Sequence, residues 1–169
     1  MTNASLVINS MEKILCSTYK IRFQDCDPFN HLNNASYINY FLNAREDHLQ
    51  DRYQFDVFER VKTDGEAWVV VSNQICYLSS AYAIEKVLIE SQLIAFTGKS
   101  LRVEMRMWNN TRDKLKAVLW TDFLYINIRT QKTIHHPEAL AKLLGDMLLP
   151  VEQTVFEERR NYFMRRTGV

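Results

Sequence analysis

Residues 22–41 read RFQDCDPFNHLNNASYINYF, and this stretch decides the fold because it joins three kinds of local structure. The β-branched and aromatic residues that lead into it predict a strand from about Ile14 to Phe23. The polar residues after Phe23 predict a turn, and the apolar periodicity from Asn34 onwards predicts a helix. The polar turn is therefore expected to lie directly beside a helix N-terminus.

The turn is crowded with side chains that can either cap a helix or do chemistry. They are Asp25, Asp27, Asn30, His31, Asn33 and Asn34. A helix N-terminus has unpaired backbone N–H groups and a partial positive charge, so it can bind an anion or stabilise one that forms during a reaction. Because Asp and Asn are also ordinary N-cap and turn residues, residue content alone favours capping and leaves catalysis open. Asn30 is a candidate for a left-handed backbone, which Asn tolerates.

The helix after the turn is predicted to run from Asn34 to about Gln50. Its apolar residues recur at helical spacing, in the order Tyr37, Phe41, Ala44 and His48. Its first turns are apolar almost all round, which is typical of a helix that is buried on most sides.

The rest of the chain predicts a sheet followed by helices. Strand patterns cover residues 67–77, 86–96, 101–108 and 115–129, and the short polar turns between the later strands indicate an antiparallel meander. Helical patterns follow at 138–147 and 152–165. We expect one α+β domain over residues 1–169, with an N-terminal arm at 1–14 and C-terminal helices at 137–169. A long central helix wrapped by a curved antiparallel sheet accommodates all of these elements.

Composition excludes several functional classes. Twenty-one basic and twenty acidic residues give a net charge of +1, so no bias towards nucleic acid or an anionic membrane is expected. No apolar run approaches the ~18 residues of a membrane span, and the N-terminus lacks the basic start of a signal peptide. The three cysteines do not form a CxxC pair, which predicts free thiols in a cytoplasmic protein.

Motifs for metal and nucleophile chemistry are missing from the sequence. An EF-hand loop starting at the first aspartates fails, because Phe29 and Asn30 occupy positions that need an oxygen ligand and a glycine. No HExxH, CxxC, GxSxG or glycine-rich phosphate loop occurs, so neither a metal nor a cofactor is expected. Carboxylate chemistry beside a helix N-terminus suits a thioester, whose thiolate leaves with a pKa of about 8.5 and scarcely needs a general acid.

The turn and helix resemble the hot-dog-fold acyl-CoA thioesterases of the 4-hydroxybenzoyl-CoA thioesterase type. Their signature reads roughly R-[FY]-x-D-x-D-x-x-G-H-[VL]-N-N-x-x-Y. The chain matches it at Arg22-Phe23, Asp25, Asp27, His31-Leu32-Asn33-Asn34 and Tyr37, and departs from it at Asn30, where the family has glycine. The segment KTIHHPEAL at 132–140 resembles the family's closing strand and turn. The resemblance therefore implies a hot-dog fold and an enzyme that hydrolyses thioesters.

The resemblance also implies roles for individual residues. Asp27 corresponds to the catalytic carboxylate, as nucleophile or as base for water, and the N–H that polarises the thioester carbonyl falls near Asn34. His31, Asn33 and Tyr37 correspond to supporting and acyl-pocket positions. The candidates for the CoA phosphates are Lys99, Ser100 and Arg112, although each also suits a solvated turn.

The implied substrate is an acyl-CoA or an acyl carrier protein thioester, and the implied assembly is a homodimer or homotetramer with its active sites at the subunit interface. The alternative function is a non-catalytic acyl-CoA-binding module, which would keep the pocket without needing the carboxylate of Asp27.

Overall fold

The computed structural model describes residues 11–168. Its elements in chain order are β1 (Leu15–Lys20), α1 (Asn34–Tyr53), α2 (Val57–Asp64), β2 (Glu66–Tyr77), β3 (Lys86–Phe96), β4 (Ser100–Asn109), β5 (Leu115–Asn127), β6 (Lys132–Thr133), α3 (Glu138–Met147) and α4 (Phe156–Thr167). The predicted α+β class is confirmed, as is the order of strand, long helix and four long antiparallel strands.

The strands form one antiparallel sheet in the order β1-β3-β4-β5-β2, with the short β6 also paired to β5. Strands β3, β4 and β5 form the predicted meander. Strand β2 pairs with β5 and lies at an edge of the sheet. The register shifts at Val71 in β2 and at Ile94 in β3, and bulges of this kind bend a strand. The sheet curls around α1 as predicted.

One face of α1 packs into the core that the sheet encloses. The four positions predicted from the periodicity are all buried, namely Tyr37, Phe41, Ala44 and His48. The prediction that the helix is buried on most sides holds only in part, because Ile38 and Leu42 are half-buried. Within residues 11–168 no element completely covers the side of α1 that carries Ile38 and Leu42.

Two element boundaries differ from the sequence prediction. Strand β1 ends at Lys20 and not at Phe23, because the chain turns into a short 3-10 helix in which the N–H of Asp25 donates to Arg22 O at 3.1 Å. Helix α4 starts at Phe156 and not at residue 152. The segment before it first runs beside β3, where the N–H of Leu149 donates to Leu93 O at 2.9 Å.

Helix α2 was not predicted, although the sequence carries the signals for it. Asp56 is its N-cap and accepts from the N–H groups of Phe58 and Glu59 at 2.8 and 3.0 Å. Gly65 ends it in the left-handed region with a φ of 67°. An Asp followed three residues later by Glu, with Gly after the last turn, is a common pattern at helix ends.

The terminal segments are the residues before β1 and the helices after β6. Residues 1–10 of the predicted arm lie outside the described residues, and residues 11–14 precede β1 without regular structure. The predicted C-terminal helices are α3 and α4. No helix in the described part of the chain is long and apolar enough to cross a membrane.

Candidate active site

Asp27 organises the polar turn through its backbone and through one carboxylate oxygen. Its Oδ1 accepts from the N–H groups of Phe29 and His31 at 2.9 and 3.0 Å, and its own N–H donates to His31 O at 2.8 Å. Asn30 sits inside this turn with a φ of 65°, so the left-handed backbone predicted for it is confirmed. The other oxygen, Oδ2, has no hydrogen-bond partner among residues 11–168, which leaves it available to a substrate.

The N-terminus of α1 follows Asp27 by seven positions and presents an N–H that has no acceptor among residues 11–168. Asn33 is the N-cap, and its Oδ1 accepts from the N–H of Ala35 at 3.0 Å. The carbonyl of Asn33 accepts from the N–H of Ser36 at 2.8 Å. The remaining N–H in this first turn belongs to Asn34 and has no acceptor in the described part of the chain. It points out of the end of a helix of 20 residues, where the partial positive charge is greatest.

Asp25 has a supporting position in the turn. Its Oδ2 accepts from the Tyr40 hydroxyl at 2.7 Å, and its backbone oxygen accepts from the N–H of Asn33 at 2.9 Å. Burial and the hydrogen bond to Asp25 raise the pKa of Tyr40 to about 12, so this tyrosine stays protonated as a donor. The sequence analysis missed Tyr40. The sequence does carry a signal for the role of Tyr40. It lies in the first turns of α1, which are apolar almost all round, and a tyrosine in such a place needs a partner for its hydroxyl.

The loop between β2 and β3 holds the turn from the other side. The N–H of Leu32 donates to Ala81 O at 2.8 Å, and the His31 ring lies edge-on to Tyr82 with 5.1 Å between ring centroids. The buried ammonium of Lys116 fixes this loop by donating to one of its backbone carbonyls at 2.8 Å. The predicted supporting residues His31 and Asn33 therefore both lie in a turn that is bonded on two sides, where His31 contacts Asp27 and Asn33 contacts Asp25.

Tyr37 lies close to the helix start but inside the core. Its ring is 5.1 Å from that of Tyr77, and its hydroxyl accepts from the N–H of Ala81 at 3.1 Å. Tyr77 in turn donates its hydroxyl to Asn34 O at 2.9 Å. Tyr37 is 3% exposed, and its predicted contact with an acyl group stays a prediction.

The three predicted phosphate-binding residues are not brought together in the single chain. Arg112 lies in the β4–β5 hairpin, at the same end of the sheet as the turn, where its guanidinium pairs with the buried Glu90. Lys99 and Ser100 lie at the β3–β4 turn, at the far end of β3, which is ~30 Å away at about 3.3 Å per residue. Their role towards CoA stays a prediction.

A cavity of about 310 Å³ opens beside the second half of α1. Helices α2 and α3 and the strands β2, β4 and β5 supply the rest of its wall. Most of its lining is aliphatic or aromatic, and residues from five elements illustrate this: Leu49, Val61, Trp68, Val103 and Leu144. The volume and the apolar wall are those of a small-molecule pocket. Within residues 11–168 no three His, Cys, Asp or Glu side chains group as metal ligands.

Comparison with known proteins identifies the family of the chain. Residues 21–144 match the family described as the thioesterase-like superfamily, and this range includes the turn, strands β2 to β6 and most of α3. The chain belongs to the thioesterase-like superfamily. The predicted resemblance and the hot-dog fold are thereby confirmed.

Individual members of the superfamily match over most of their length. The long-chain acyl-CoA thioesterase FadM from Escherichia coli (strain K12) is 29% identical over 129 residues, which are 76% of this chain and 96% of FadM. The crystal structure of the probable thioesterase YbaW from Escherichia coli is 28% identical with a TM-score of 0.68, over 78% of this chain and 97% of that one. The SAV2348 protein from Staphylococcus aureus, solved in complex with CoA, has a TM-score of 0.74 over 85% of this chain and 90% of that chain. At 14% identity it shows the fold alone.

Proposed function

We propose that this superfamily member hydrolyses acyl-CoA thioesters to a free acid and CoA, with Asp27 as the catalytic carboxylate. The observation that carries this proposal is that two groups have no hydrogen-bond partner within residues 11–168: one carboxylate oxygen of Asp27 and the first N–H of α1, at Asn34. The acyl-CoA substrate of the relative FadM supports the same reaction for this chain.

Two routes lead from this geometry to the products. Asp27 can attack the thioester carbonyl, expel the CoA thiolate and form an anhydride that water then cleaves. Alternatively it takes a proton from a water molecule as that water attacks the same carbon. In both routes the carbonyl oxygen becomes negative and accepts from the N–H of Asn34, beside the positive end of the helix. The thiolate leaves with a pKa of about 8.5, so no separate acid is required.

The proposed enzyme is a homodimer whose subunits pair along β2. Val69, Val70 and Val71 on this edge strand are 36, 43 and 53% exposed, and an apolar edge of this length is a template for pairing with another strand. Two β2 strands related by a twofold axis run antiparallel. The site near Tyr77 at one end of β2 then approaches the end of the other subunit that carries Lys99 and Ser100. This arrangement supports those two residues as candidates for binding the CoA phosphates.

The test of this function is the Asp27→Asn variant in a thiol-release assay with a panel of short, long and aromatic acyl-CoAs. An asparagine keeps the Oδ1 that accepts from Phe29 and His31, so the turn is expected to fold normally. It is a poor nucleophile and cannot serve as a base, so we expect kcat to fall by a factor of 10³ or more.

The matched control is Asp56→Asn, because Asp56 also accepts two backbone N–H groups but does so at the start of α2. We expect this variant to hydrolyse every substrate at the wild-type rate. Full turnover by Asp27→Asn would exclude the mechanism. Tight binding of acyl-CoA by the wild-type protein with no thiol release from either CoA or acyl carrier protein substrates would identify a non-catalytic binding module instead.

A further inference from the structure

The cavity beside α1 contains one buried charged side chain that has no counter-charge among residues 11–168. Arg45 lies on its wall and is 7% exposed. Its Nη1 donates to Ser91 Oγ at 3.2 Å, and it makes no other hydrogen bond or ion pair within residues 11–168. The N-terminal residues 1–10 contain no Asp or Glu. A buried guanidinium with most of its donors unfilled is costly, so a ligand acceptor at this position would be bound strongly.

Arg106, which is also buried, and Arg159, which is half-buried, show how the fold normally treats this side chain. Arg106 donates to Glu90 at 2.7 Å and also contacts Glu104. Arg159 binds Glu104 with two hydrogen bonds of 2.8 Å. Both lie outside the wall of this cavity, and both are neutralised by carboxylates. Arg45 differs from them in having no carboxylate partner while facing an empty apolar space.

The groups around Arg45 do not neutralise it. His48 lies one turn away, shares the hydroxyl of Ser91 at 2.8 Å, and has a buried Nε2 with no partner in the described chain. Burial and the charge of Arg45 lower the pKa of His48 to about 4, so it is neutral at pH 7. Of the other charges on the wall, Arg60 pairs with Glu66 at 3.1 Å. Glu46 is half-buried and follows Arg45 directly, and consecutive helix residues do not face each other.

We propose that the cavity takes the acyl group of the substrate and that Arg45 binds a carboxylate at the far end of that group. The proposal rests on the proposed thioesterase function, and it assigns the substrate class as acyl-CoAs of dicarboxylic acids. The apolar wall contacts the methylene chain, and the guanidinium supplies the paired donors that suit a carboxylate. Arg45 follows Asn34 by eleven positions, a rise of about 16 Å along α1. Its long side chain points back towards the helix start, so an acyl chain of medium length spans the interval that remains.

The selectivity arises because a plain acyl chain leaves the guanidinium unpaired. A site that contains a buried donor rejects an analogue that lacks the matching acceptor far more strongly than it rejects a missing methylene. The dicarboxylic substrate fills the donors, whereas the monocarboxylic substrate of equal length places a methyl group against them. The expected ratio of kcat/KM between the two is about tenfold to a hundredfold in favour of the dicarboxylic acyl-CoA.

The test compares suberoyl-CoA with octanoyl-CoA, which differ only in the terminal carboxylate. In the wild-type protein we expect kcat/KM to favour suberoyl-CoA. In Arg45→Met, whose side chain is of similar length and apolar, we expect the preference to reverse in favour of octanoyl-CoA. Arg45→Lys keeps the positive charge and is expected to retain part of the preference. Arg52→Met is the control, because Arg52 lies on the same helix but is exposed and pairs with Glu12.

Separate outcomes distinguish failure of this proposal from failure of the proposed function. Equal preference in the wild-type protein and in folded Arg45→Met would overturn the role of Arg45, while turnover of octanoyl-CoA would still support a thioesterase. Inhibition by octanoate that depends on Arg45, with no preference between the two thioesters, would assign the guanidinium to a free acid and also overturn the proposal. If nothing is hydrolysed, calorimetry tests the role of Arg45 without turnover, by measuring how tightly each thioester binds to the Asp27→Asn variant, which keeps Arg45, and to the Arg45→Met variant. Equal affinities of the two thioesters for both variants would overturn the proposal for Arg45.

Discussion

Asp25 and Asp27 have the same side chain and lie two positions apart, yet their hydrogen bonds give them different tasks. Asp25 accepts from the hydroxyl of the half-buried Tyr40 at 2.7 Å and so connects the turn to α1. Asp27 uses one oxygen to hold the turn and keeps the other without a partner in the described part of the chain. Capping and catalysis, which compete as interpretations of the sequence, are therefore compatible in one residue. The carboxylate that stabilises the turn is thereby also held in a fixed orientation by two backbone N–H groups.

The backbone N–H of Asn34 can be removed without removing the helix, which gives a direct test of the oxyanion site. Proline is well tolerated at the first helical position, and Asn33 before it has a φ of −60° and a ψ of 136°, as a residue before proline requires. We expect Asn34→Pro to fold with unchanged circular dichroism and to lose a factor of about 10²–10³ in kcat.

The companion variant Asn34→Ala keeps the N–H and loses only an exposed side chain. We expect it to stay within a few-fold of the wild-type kcat in the same steady-state assay. If Asn34→Pro turns over as fast as Asn34→Ala, the oxyanion is stabilised by a different donor.

Much of the site could be predicted because its geometry is local. The left-handed Asn30 follows from its residue type, and the family resemblance places the N–H of the helix start near Asn34, four positions later in the same segment. The partners of this turn could not be predicted in the same way. The loop with Ala81, and Lys116 that fixes it, come from distant parts of the chain that only the strand order brings together.

At the level of elements, length and periodicity decided what was predictable. The bounds of β3 and α3 agree with the predicted ranges at both ends, because each has an unbroken pattern. Helix α2 is eight residues long and carries an exposed phenylalanine, so its caps were its main signal. The position of β2 beside β5 is a long-range pairing between residues such as Glu66 and Asn127, which no local pattern encodes.

Helix α4 lies wholly beyond the matched family range, and an ion pair attaches it to the sheet. Arg159 binds Glu104, which is fully buried and also accepts from Trp120 at 2.7 Å. Burial alone would raise the pKa of Glu104, but the hydrogen bonds from Arg159 and the charge of Arg106 outweigh it and hold the pKa below its usual value. The carboxylate is therefore ionised at neutral pH and depends on its cationic partners.

Removing Arg159 is expected to destabilise the fold through this buried carboxylate. We expect Arg159→Met to lower the free energy of unfolding by about 2 kcal/mol, because Arg106 and Trp120 still satisfy part of Glu104. Guanidinium denaturation measures the loss. Arg160→Met removes a neighbouring pair with Glu157 whose side chains are 38 and 70% exposed, so a change below about 0.5 kcal/mol is expected there. Equal effects of the two variants would show that the buried pair contributes no more than the surface pair.

For the whole molecule, the distribution of covered and uncovered apolar surface indicates where a second copy binds. Helix α4 covers part of the outer face of the sheet, through Phe163 against Leu115 and Val118. The β2 edge and the half-buried side of α1 at Leu42 have no comparable cover among residues 11–168. These two surfaces are adjacent, since the cavity wall includes both Leu42 and Val70. One partner seated along β2 would cover both.

Charge placed on the β2 edge is therefore expected to separate the subunits and to reduce activity together with assembly. We expect Val71→Lys to convert a dimer into a monomer in light scattering, with kcat/KM falling at least tenfold because the site near Tyr77 loses the opposing subunit. Val155→Lys is the matched control, since Val155 is 52% exposed and Val71 is 53% exposed, but Val155 lies just before α4. We expect this control to stay dimeric and active. A Val71→Lys protein that remains a fully active dimer would place the interface on a different surface, and a fully active monomer would show that each subunit completes its own site.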